Sequence, residues 1–370
     1  MWLEKISLLD YKNYPTAELI FSEQINCFVG ENGSGKTNLL DAIYYLSSTK
    51  SAFSSTETQN VRHGAPYFLI KGTYHKQGEP FAVQFSWGHG PKKDARRNQV
   101  PYDKLSEHVG QFPCVLISPD DTDLIREGSE TRRRFFDSII AQIDAVYLEK
   151  LIRYNHVLKQ RNSLLKQFAE RHTYEADLLD SYSDQLLELG HALYETRYVF
   201  VGRFVPLFEK HYAYLSGEKE PVSIHYESHF AAPDYREVFY RAYRKDLVLQ
   251  RTTQGIHKDD FVFQTAGYPT KKYGSQGQQK SYVIALKLAQ FEMIKQEKGF
   301  KPLLLLDDIF DKLDDFRIGK LTEMVVQHTF GQLFVTDARP ERTQAIFQPI
   351  EADQKVFLVD RGVVTEEKYP

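Results

Sequence analysis

Residues 30 to 37 have the composition and spacing of a phosphate-binding loop. Their sequence, Gly-Glu-Asn-Gly-Ser-Gly-Lys-Thr, matches the pattern G-x-x-x-x-G-K-[ST] at every fixed position. Glycine lets a backbone turn tightly, so that several N–H groups can point at phosphate oxygens. We expect Lys36 to reach the β- and γ-phosphates of ATP, and the hydroxyl of Thr37 to ligate Mg²⁺. The residues predicted to hold the nucleotide here are Gly30, Glu31, Asn32, Gly33, Ser34, Gly35, Lys36, Thr37 and Asn38.

The segments on either side of this loop support a phosphate site. An apolar, β-prone run from Ile25 to Val29 precedes the loop, and residues 37 to 46 have the pattern of a helix. The positive N-terminal end of such a helix stabilises a bound anion. The plainer interpretation is a glycine-rich turn with an incidental lysine, and the flanking strand and helix make that interpretation the weaker one.

A pair of carboxylates stands far along the chain. Four leucines, residues 303 to 306, are followed by Asp307 and Asp308, as expected for a strand that is buried on both faces. We predict that Asp307 holds Mg²⁺ through water, and that Asp308 acts as the base or orients the attacking water. The alternative is a buried strand that runs into an acidic helix cap.

A third candidate lies between these motifs, in the sequence Gly-Ser-Gln-Gly-Gln-Gln of residues 274 to 279. A helix that begins here would offer free N–H groups and a hydroxyl to an anion, without a lysine. Because the phosphate loop already serves the nucleotide of its own subunit, we expect Ser275, Gln276 and Gly277 to meet a γ-phosphate held by a second subunit. Asp314 is predicted to lie at the same subunit boundary. With Lys36 and Asp308, Ser275 completes the predicted catalytic set, although a bare helix N-cap is the unremarkable alternative.

Four further stretches carry distinctive sequences. They are residues 6 to 14 (Ile-Ser-Leu-Leu-Asp-Tyr-Lys-Asn-Tyr), residues 119 to 137 with Pro-Asp-Asp and Arg-Arg-Arg-Phe-Phe-Asp, residues 255 to 260 (Gly-Ile-His-Lys-Asp-Asp) and residues 311 to 317 (Asp-Lys-Leu-Asp-Asp-Phe-Arg). Together with the three motifs above, they make the whole chain resemble the RecF family of bacterial recombination-repair proteins. That family is related to the SMC-type and ABC-type ATPases.

The chain departs from the family pattern at several places. Ile256 stands where the family has proline, and Asp311 and Lys312 stand where it has Ser-Glu. The late strand ends in Thr336-Asp337 without the usual run of threonines, so we expect Thr336 or Asp337 to sense the γ-phosphate. No glutamine occurs at residues 118 to 121, where an ABC-type ATPase would have one, and Asp121 is at most a substitute.

The resemblance implies an ATP-dependent DNA-binding protein of recombinational repair and replication restart. It implies an ATP-induced homodimer that binds single-stranded or gapped DNA and has a weak, DNA-stimulated ATPase activity. It further implies joint action with RecO and RecR proteins in loading recombinase, and a link to the SOS response. Two other functions remain open at this point: the ATPase subunit of an ABC transporter, and a scaffold that binds ATP but hardly hydrolyses it.

Composition and charge exclude several other classes of protein. The 370 residues are 26% charged and 42% hydrophobic, with a net charge of −3, so any basic surface for DNA must be local. No apolar run approaches the length that crosses a bilayer, and no signal-peptide pattern is visible, which predicts a cytoplasmic protein without a membrane partner. Cys27 and Cys114 lie in or beside apolar runs and are predicted to be buried, reduced thiols.

Alternation of strands and helices at both ends of the chain predicts an α/β fold with a parallel sheet. We predict an ABC-type P-loop ATPase core, lobe I, built from residues 1–120 and 250–370. Residues 121–249 have helical periodicity and would form an inserted, mainly helical lobe II.

Two groups in the insertion and beside it allow more than one interpretation. His257 could be catalytic, because histidine titrates near neutrality, or it could be a structural residue of a turn. The arginines at 132, 133 and 134 could contact DNA phosphate, but a role in structure or in an interface is favoured narrowly. The basic loop that contains Lys92 and Lys93 is more often a solvated face than a phosphate-contacting arm.

Overall fold

The computed structural model describes residues 1–88, 92–171, 175–217, 220–310 and 313–367. The chain divides into two compact units, Met1–Asp121 with Ile284–Pro370, and Thr122–Val283. Residues 250 to 283, which the sequence placed with the chain ends, belong to the second compact unit. The division into functional lobes stays a prediction.

The strands of the described chain are short, and most bury one face or both. In chain order they are β1 (Trp2–Tyr11), β2 (Tyr14–Ile20), β3 (Ile25–Val29), β4 (Phe68–Lys76), β5 (Glu79–Trp87), β6 (Asp94–Arg97), β7 (Val100–Pro101), β8 (Cys114–Ile117), β9 (Val222–Glu227), β10 (Asp260–Thr265), β11 (Tyr268–Pro269), β12 (Leu303–Asp307), β13 (Leu333–Asp337), β14 (Gln354–Asp360) and β15 (Val363–Glu367).

The helices range from single turns to one of 41 residues. In chain order they are α1 (Lys36–Ser48), α2 (Asp123–Arg126), α3 (Ser129–Ile143), α4 (Ala145–Arg171), α5 (Ala176–Ser216), α6 (Tyr235–Arg241), α7 (Tyr243–Leu249), α8 (Thr270–Tyr273), α9 (Gln276–Lys298), α10 (Asp315–Val326) and α11 (Pro340–Phe347). Residues 47 to 58 begin with the last turn of α1 and include the start of a short 3₁₀ helix, Glu57–Asn60.

A six-stranded sheet at the centre of the first unit contains the strand that leads into the phosphate loop. Its order is β15-β14-β3-β13-β12-β8, and all of its strands except β15 run parallel. Every residue of β3, β8, β12 and β13 is buried, which explains their continuous apolar sequences. The far end of the chain therefore completes the sheet that β3 begins, as the sequence predicted.

A second sheet of the first unit is antiparallel, with the order β2-β1-β4-β5-β6-β7. One hydrophobic cluster joins its inner face to helix α1 and to the parallel sheet, through side chains such as Ile6, Ile43 and Phe28. Cys27 and Cys114 are buried, free thiols, as predicted. Helix α1 is thus fixed firmly behind the loop that precedes it.

The second unit contains the long helices α3, α4 and α5 and a small antiparallel sheet of order β11-β10-β9. Strand β9 follows α5 in the chain and interrupts the run of helices. Its partner β10 follows the Gly-Ile-His-Lys-Asp-Asp segment. The mainly helical character expected for the middle of the chain is therefore present.

Candidate nucleotide-binding site

The phosphate loop leaves β3 at Val29 and enters α1 at Lys36. Three of its glycines have positive φ angles, 152° at Gly30, 82° at Gly33 and 119° at Gly35, and the first and last of these are also closely packed. A Cβ atom on Gly30 would collide with the carbonyl oxygen of Val359, and one on Gly35 would collide with the side chain of Asn13. Only glycine therefore fits these two positions, for reasons of both backbone conformation and space.

The side chain of Lys36 reaches back from the end of the loop to its beginning. Its Nζ donates hydrogen bonds to the carbonyl oxygens of Gly30, at 2.7 Å, and Glu31, at 2.8 Å. Burial lowers the pKa of this ammonium, and the carboxylates of Asp308 and Asp307 oppose that shift. The cation is therefore held in the concave side of the loop, where a phosphate would meet it.

The carboxyl end of β12 brings Asp307 to the first turn of α1. Thr37 Oγ1 donates a hydrogen bond to this carboxylate at 2.9 Å, and Thr336 Oγ1 donates another at 2.7 Å. Burial raises the pKa of Asp307, against these two hydrogen bonds that lower it. The contacts follow from topology, because β12, β13 and β3 are parallel and their carboxyl ends meet at one edge of the sheet.

Asp308 and Thr336 stand at the same edge. The backbone N–H of Asp308 donates to Thr336 Oγ1 at 2.9 Å, so this threonine hydroxyl links both predicted acidic residues. Asp337 instead accepts hydrogen bonds from Arg342, Thr343 and the N–H of Arg339. Of the two candidates for sensing the γ-phosphate, Thr336 is thus the one that contacts the acidic pair.

The turn between β1 and β2 supports the loop, a role that the sequence did not assign. Asn13 Nδ2 donates to the carbonyl oxygen of Ser34 at 3.2 Å, and Asn13 Oδ1 accepts from Asn38 Nδ2 at 2.7 Å. The hydroxyl of Tyr14 donates to the carbonyl oxygen of Gly35 at 2.9 Å. The cluster of polar and aromatic residues Tyr-Lys-Asn-Tyr was the available signal, but nothing in the sequence pairs it with the loop.

A buried ion pair fixes the same turn to α1. Lys12 Nζ lies 2.6 Å from Asp41 Oδ2, and Asp41 has no exposed surface. The hydroxyls of Tyr11 and Ser51 donate to the same carboxylate, at 2.6 and 2.7 Å. A buried carboxylate needs such partners, and here they place the turn against the phosphate loop.

The residues of the loop fit a nucleotide phosphate and a magnesium ion. Ser34 Oγ is buried and has no hydrogen-bond partner among the described residues, and α1 has no side-chain cap at Gly35. Within the same residues no group of three or more His, Cys, Asp or Glu could hold a metal ion. Thr37 and Asp307, which lie 2.9 Å apart, could hold Mg²⁺ together with water and phosphate oxygens.

The Ser275 turn belongs to the second unit and precedes α9. Ser275 and Gln276 are exposed, and Gly277 is half-buried. Ser275 Oγ accepts a hydrogen bond from the N–H of Gln278 at 3.2 Å, while Gln278 Oε1 accepts one from the N–H of Ser275 at 2.7 Å. This reciprocal pair is a capping box, which the pattern Ser-x-x-Gln could have predicted.

Two further residues named from the sequence have local partners. Asp314 caps α10 by accepting a hydrogen bond from the N–H of Arg317 at 2.9 Å, while Asp311 and Lys312 lie outside the described residues. Asp121 accepts from the N–H of Ser118 and forms an ion pair with Lys287 at 2.6 Å. The hydrogen bonds of Asp314 and Asp121 order their own turns, whereas the ion pair joins Asp121 to α9.

The Gly-Ile-His-Lys-Asp-Asp segment is a structural element of the second unit. His257 is buried between the hydroxyl of Tyr154, at 2.8 Å, and the carbonyl oxygen of Thr252, at 3.1 Å. Burial lowers the pKa of His257 to about 4, so its imidazole is neutral at physiological pH. Of the two interpretations of His257, the structural one therefore agrees with its surroundings.

Two of the three consecutive arginines are also held within this unit. Arg132 forms a two-pronged ion pair with Asp260, at 2.8 and 2.9 Å, and Arg133 donates to the carbonyl oxygen of Asp259 at 2.6 Å. Arg134, by contrast, is exposed and pairs with Glu130 on the same helix. The structural interpretation of this run agrees with the first two contacts.

Lys93 of the basic loop is likewise engaged, in an ion pair with Glu57 at 2.6 Å. This lysine therefore has a partner within the protein.

A glycine-rich loop between a strand and a helix, with an apolar strand that ends in Asp307 two places away in a parallel sheet, is the core of a P-loop ATPase. The folds that this chain resembles are those of ABC-type ATPases. The RecF/RecN/SMC N terminal domain family matches residues 2–79. The Smc head domain from Pyrococcus furiosus has the same fold, with a TM-score of 0.58 and 18% identity over 99% of this chain and 96% of that one.

Full-length relatives identify the family more narrowly. The DNA replication and repair protein RecF of Cytophaga hutchinsonii is 50% identical over 99% of this chain and 97% of its own length. RecF of Flavobacterium johnsoniae is 49% identical over 96% and 99%. A solved structure of the recombination mediator protein RecF-ATP in the RecFOR pathway has a TM-score of 0.88 and 28% identity, covering 99% of both chains. The chain belongs to the RecF family of DNA replication and repair proteins.

Family membership speaks against the transporter alternative.

No helix in the described parts of the chain is both long enough and apolar enough to cross a membrane.

Proposed function

We propose that this chain is an ATP-dependent DNA-binding protein of recombinational repair and replication restart, with weak, DNA-stimulated ATPase activity. The observation that carries the proposal is the meeting of Thr37 and Asp307 at 2.9 Å, directly beside the glycine loop. A hydroxyl and a carboxylate at this position provide the two protein ligands that a nucleotide-bound Mg²⁺ needs.

Each residue of the site has a chemical role in this proposal. Residues 30 to 38 bind the phosphates, with Lys36 at the β- and γ-phosphates and with Thr37 and Asp307 on Mg²⁺. Asp308 acts as base or orients the attacking water. Thr336, which links the Asp307 carboxylate to the backbone N–H of Asp308, senses the γ-phosphate. When bound, the metal neutralises phosphate charge.

A second copy of the chain completes the site. Ser275, Gln276 and Gly277 of one subunit contact the γ-phosphate held by the other, with Asp314 near the boundary between them. ATP shifts the equilibrium toward this dimer because it binds the closed form more tightly than the open one. The closed dimer binds single-stranded or gapped DNA, and hydrolysis releases it.

The cellular role that we propose follows from the family. RecF relatives are named DNA replication and repair proteins, and the solved RecF structures belong to a recombination mediator of the RecFOR pathway. We infer that this cytoplasmic chain works with RecO and RecR proteins in loading recombinase and supports the SOS response.

The test uses Asp308→Asn and measures molecular size with and without ATP, in the presence of short DNA at low salt. We expect the variant to bind ATP, to lose turnover by about a hundredfold, and to form ATP-dependent dimers that retain DNA. Asp103→Asn is the matched control, since Asp103 is an exposed carboxylate of the same unit. Dimers that form equally without nucleotide, or a failure of DNA to associate at low salt, would refute the proposal. Unchanged turnover in Asp308→Asn would favour the scaffold that binds ATP without hydrolysing it.

A further inference from the structure

An exposed pair of tyrosines stands immediately before the Ser275 turn. Tyr268 and Tyr273 are 62% and 60% exposed, and their ring centroids lie 5.5 Å apart. Lys271 and Lys272 are exposed between them, and Lys272 Nζ lies 5.2 Å from the centroid of the Tyr273 ring. We call Tyr268, Lys271, Lys272 and Tyr273 the tyrosine platform.

Hydrogen bonds and a tight turn hold the backbone that carries the tyrosine platform. Strands β10 and β11 form a hairpin through the two-residue turn Ala266-Gly267, whose φ angles of 49° and 79° suit a tight turn of this kind. Thr270 is fully buried, with its hydroxyl 2.9 Å from that of Thr265, and its carbonyl oxygen accepts from the N–H of Gly274 at 3.0 Å. The two rings are therefore presented from a defined backbone while contributing little to the core.

The charged residues near the platform in the sequence are all positive. Residues 261 to 291 contain no aspartate or glutamate, although the chain as a whole has a net charge of −3. An exposed aromatic pair with two lysines and no neighbouring acid in the sequence matches the chemistry of single-stranded nucleic acid, in which bases stack on rings and phosphates meet cations. A protein partner could also cover tyrosines, but the two exposed lysines between the rings favour a ligand that carries phosphates.

We propose that the tyrosine platform binds a single strand of DNA, with bases stacked on Tyr268 and Tyr273 and phosphates beside Lys271 and Lys272. The inference rests on the proposed DNA-binding function and assigns it to a particular surface. Stacking tolerates any base, so the platform would hold a strand without regard to its sequence.

The test measures the fluorescence anisotropy of a labelled oligothymidylate, with ATP and Mg²⁺, over a series of salt concentrations. Tyr268→Ala/Tyr273→Ala should weaken binding about tenfold or more, and Tyr268→Phe/Tyr273→Phe should restore it, because phenylalanine keeps the stacking face. Lys271→Ala/Lys272→Ala should reduce the slope of log affinity against log salt by about 0.7 for each phosphate that the lysines no longer neutralise.

Matched controls lie elsewhere in the same unit. Tyr198 is 65% exposed on α5, and Lys159 and Lys166 are exposed on α4, so Tyr198→Ala and Lys159→Ala/Lys166→Ala repeat the chemical changes away from the platform. We expect both controls to bind like the unmodified chain.

The possible outcomes separate the two proposals. If the unmodified chain binds neither oligothymidylate nor a gapped duplex at low salt, the proposed function and the platform are both overturned. If it binds the gapped duplex but no oligothymidylate, only the platform is overturned. If it binds oligothymidylate and the double alanine variant binds equally well, only the platform is overturned. The DNA-binding role of the platform is also overturned if the alanine variants lose ATP-dependent dimers when no DNA is present, since the surface would then contact a second copy.

Discussion

The phosphate loop of the first unit and the Ser275 turn of the second are both predicted anion sites at the start of a helix, but their surroundings differ. Lys36 is only 6% exposed, and the β1–β2 turn supports the loop through Asn13 and Tyr14. Ser275 is exposed, and it exchanges hydrogen bonds with Gln278 of its own helix.

This difference indicates how the two sites divide the work of binding. A braced loop whose lysine is buried has its donors fixed before a ligand arrives, so it can bind a nucleotide within one chain. An exposed turn whose donors already have partners gains less from a free anion in water. It gains most where a second surface excludes water around it, which is the setting that an ATP-bound dimer would supply.

Removing the cation of the loop should give the largest effect. We expect Lys36→Ala to weaken ATP binding by about a hundredfold or more, because the variant no longer offers a charge-assisted hydrogen bond to phosphate in a partly desolvated site. Titration calorimetry with ATP and Mg²⁺ measures this change. Lys71→Ala is the control, since Lys71 is exposed on β4. Equal ATP affinity in the two variants would show that the loop is not the site on which binding depends.

A bulky, charged side chain at the Ser275 turn should affect dimerisation rather than ATP binding. We expect Ser275→Arg to leave ATP binding by a single chain unchanged, and to weaken the ATP-dependent dimer at least about tenfold, because the side chain would fill the space of the partner's phosphate. Calorimetry and size analysis together separate the two effects.

The control for this change is Ser181→Arg, at an exposed serine on α5 of the same unit. The contrast between the sites fails if Ser275→Arg loses ATP binding by the monomer, or if it still forms dimers as readily as Ser181→Arg.

The phosphate loop could be predicted from the sequence because its residues act close together in the chain. The glycines, Lys36 and Thr37 act within a few residues of one another, and a buried run of leucines ending in Asp307 reveals a strand without reference to any partner. Parallel strands then bring their carboxyl ends together, so the meeting of Thr37 with Asp307 followed from the fold class.

Contacts between distant segments could not be predicted in this way. Nothing in the sequence pairs Lys12 with Asp41, or Asn13 with Asn38, because those contacts depend on the register of a turn against a helix. The buried partners of His257, Tyr154 and Thr252, could not be predicted for the same reason. The sequence alone therefore left both the catalytic and the structural interpretation of His257 open.

The two units can also be compared through the effect of acid pH on their buried histidines. His108 of the first unit and His257 of the second each have a pKa lowered to about 4, chiefly by burial. Lys258, Arg133 and His229 lower the pKa of His257 further, while its hydrogen bond to Thr252 raises it. The unfolded chain takes up a proton near pH 6.5 that the folded chain refuses, so stability should fall as the pH drops from about 6.5 to about 4.

The variant that tests this effect is His257→Gln, in which an amide can replace both hydrogen bonds of the ring. We expect it to reduce the pH dependence of the unfolding free energy, measured by urea titration, by up to about 1.4 kcal/mol per pH unit within that window. His156→Gln, at an exposed position on α4, is the matched control for loss of an imidazole. An unchanged slope in His257→Gln would mean that this ring is not kept neutral by the fold.

The smallest expected effect is that of a change in the capping box of the Ser275 turn. Gln278→Ala removes the acceptor of the Ser275 N–H, and loss of one half of a capping box costs about 1 kcal/mol, so we expect that amide to exchange its hydrogen about fivefold faster. Gln278→Glu keeps an acceptor at the same place and should exchange like the unmodified chain. Slow exchange in the alanine variant would mean that the turn is held by something other than its own side chains. The Ser275 turn would then be as firmly braced as the phosphate loop, and the contrast on which its need for a partner rests would disappear.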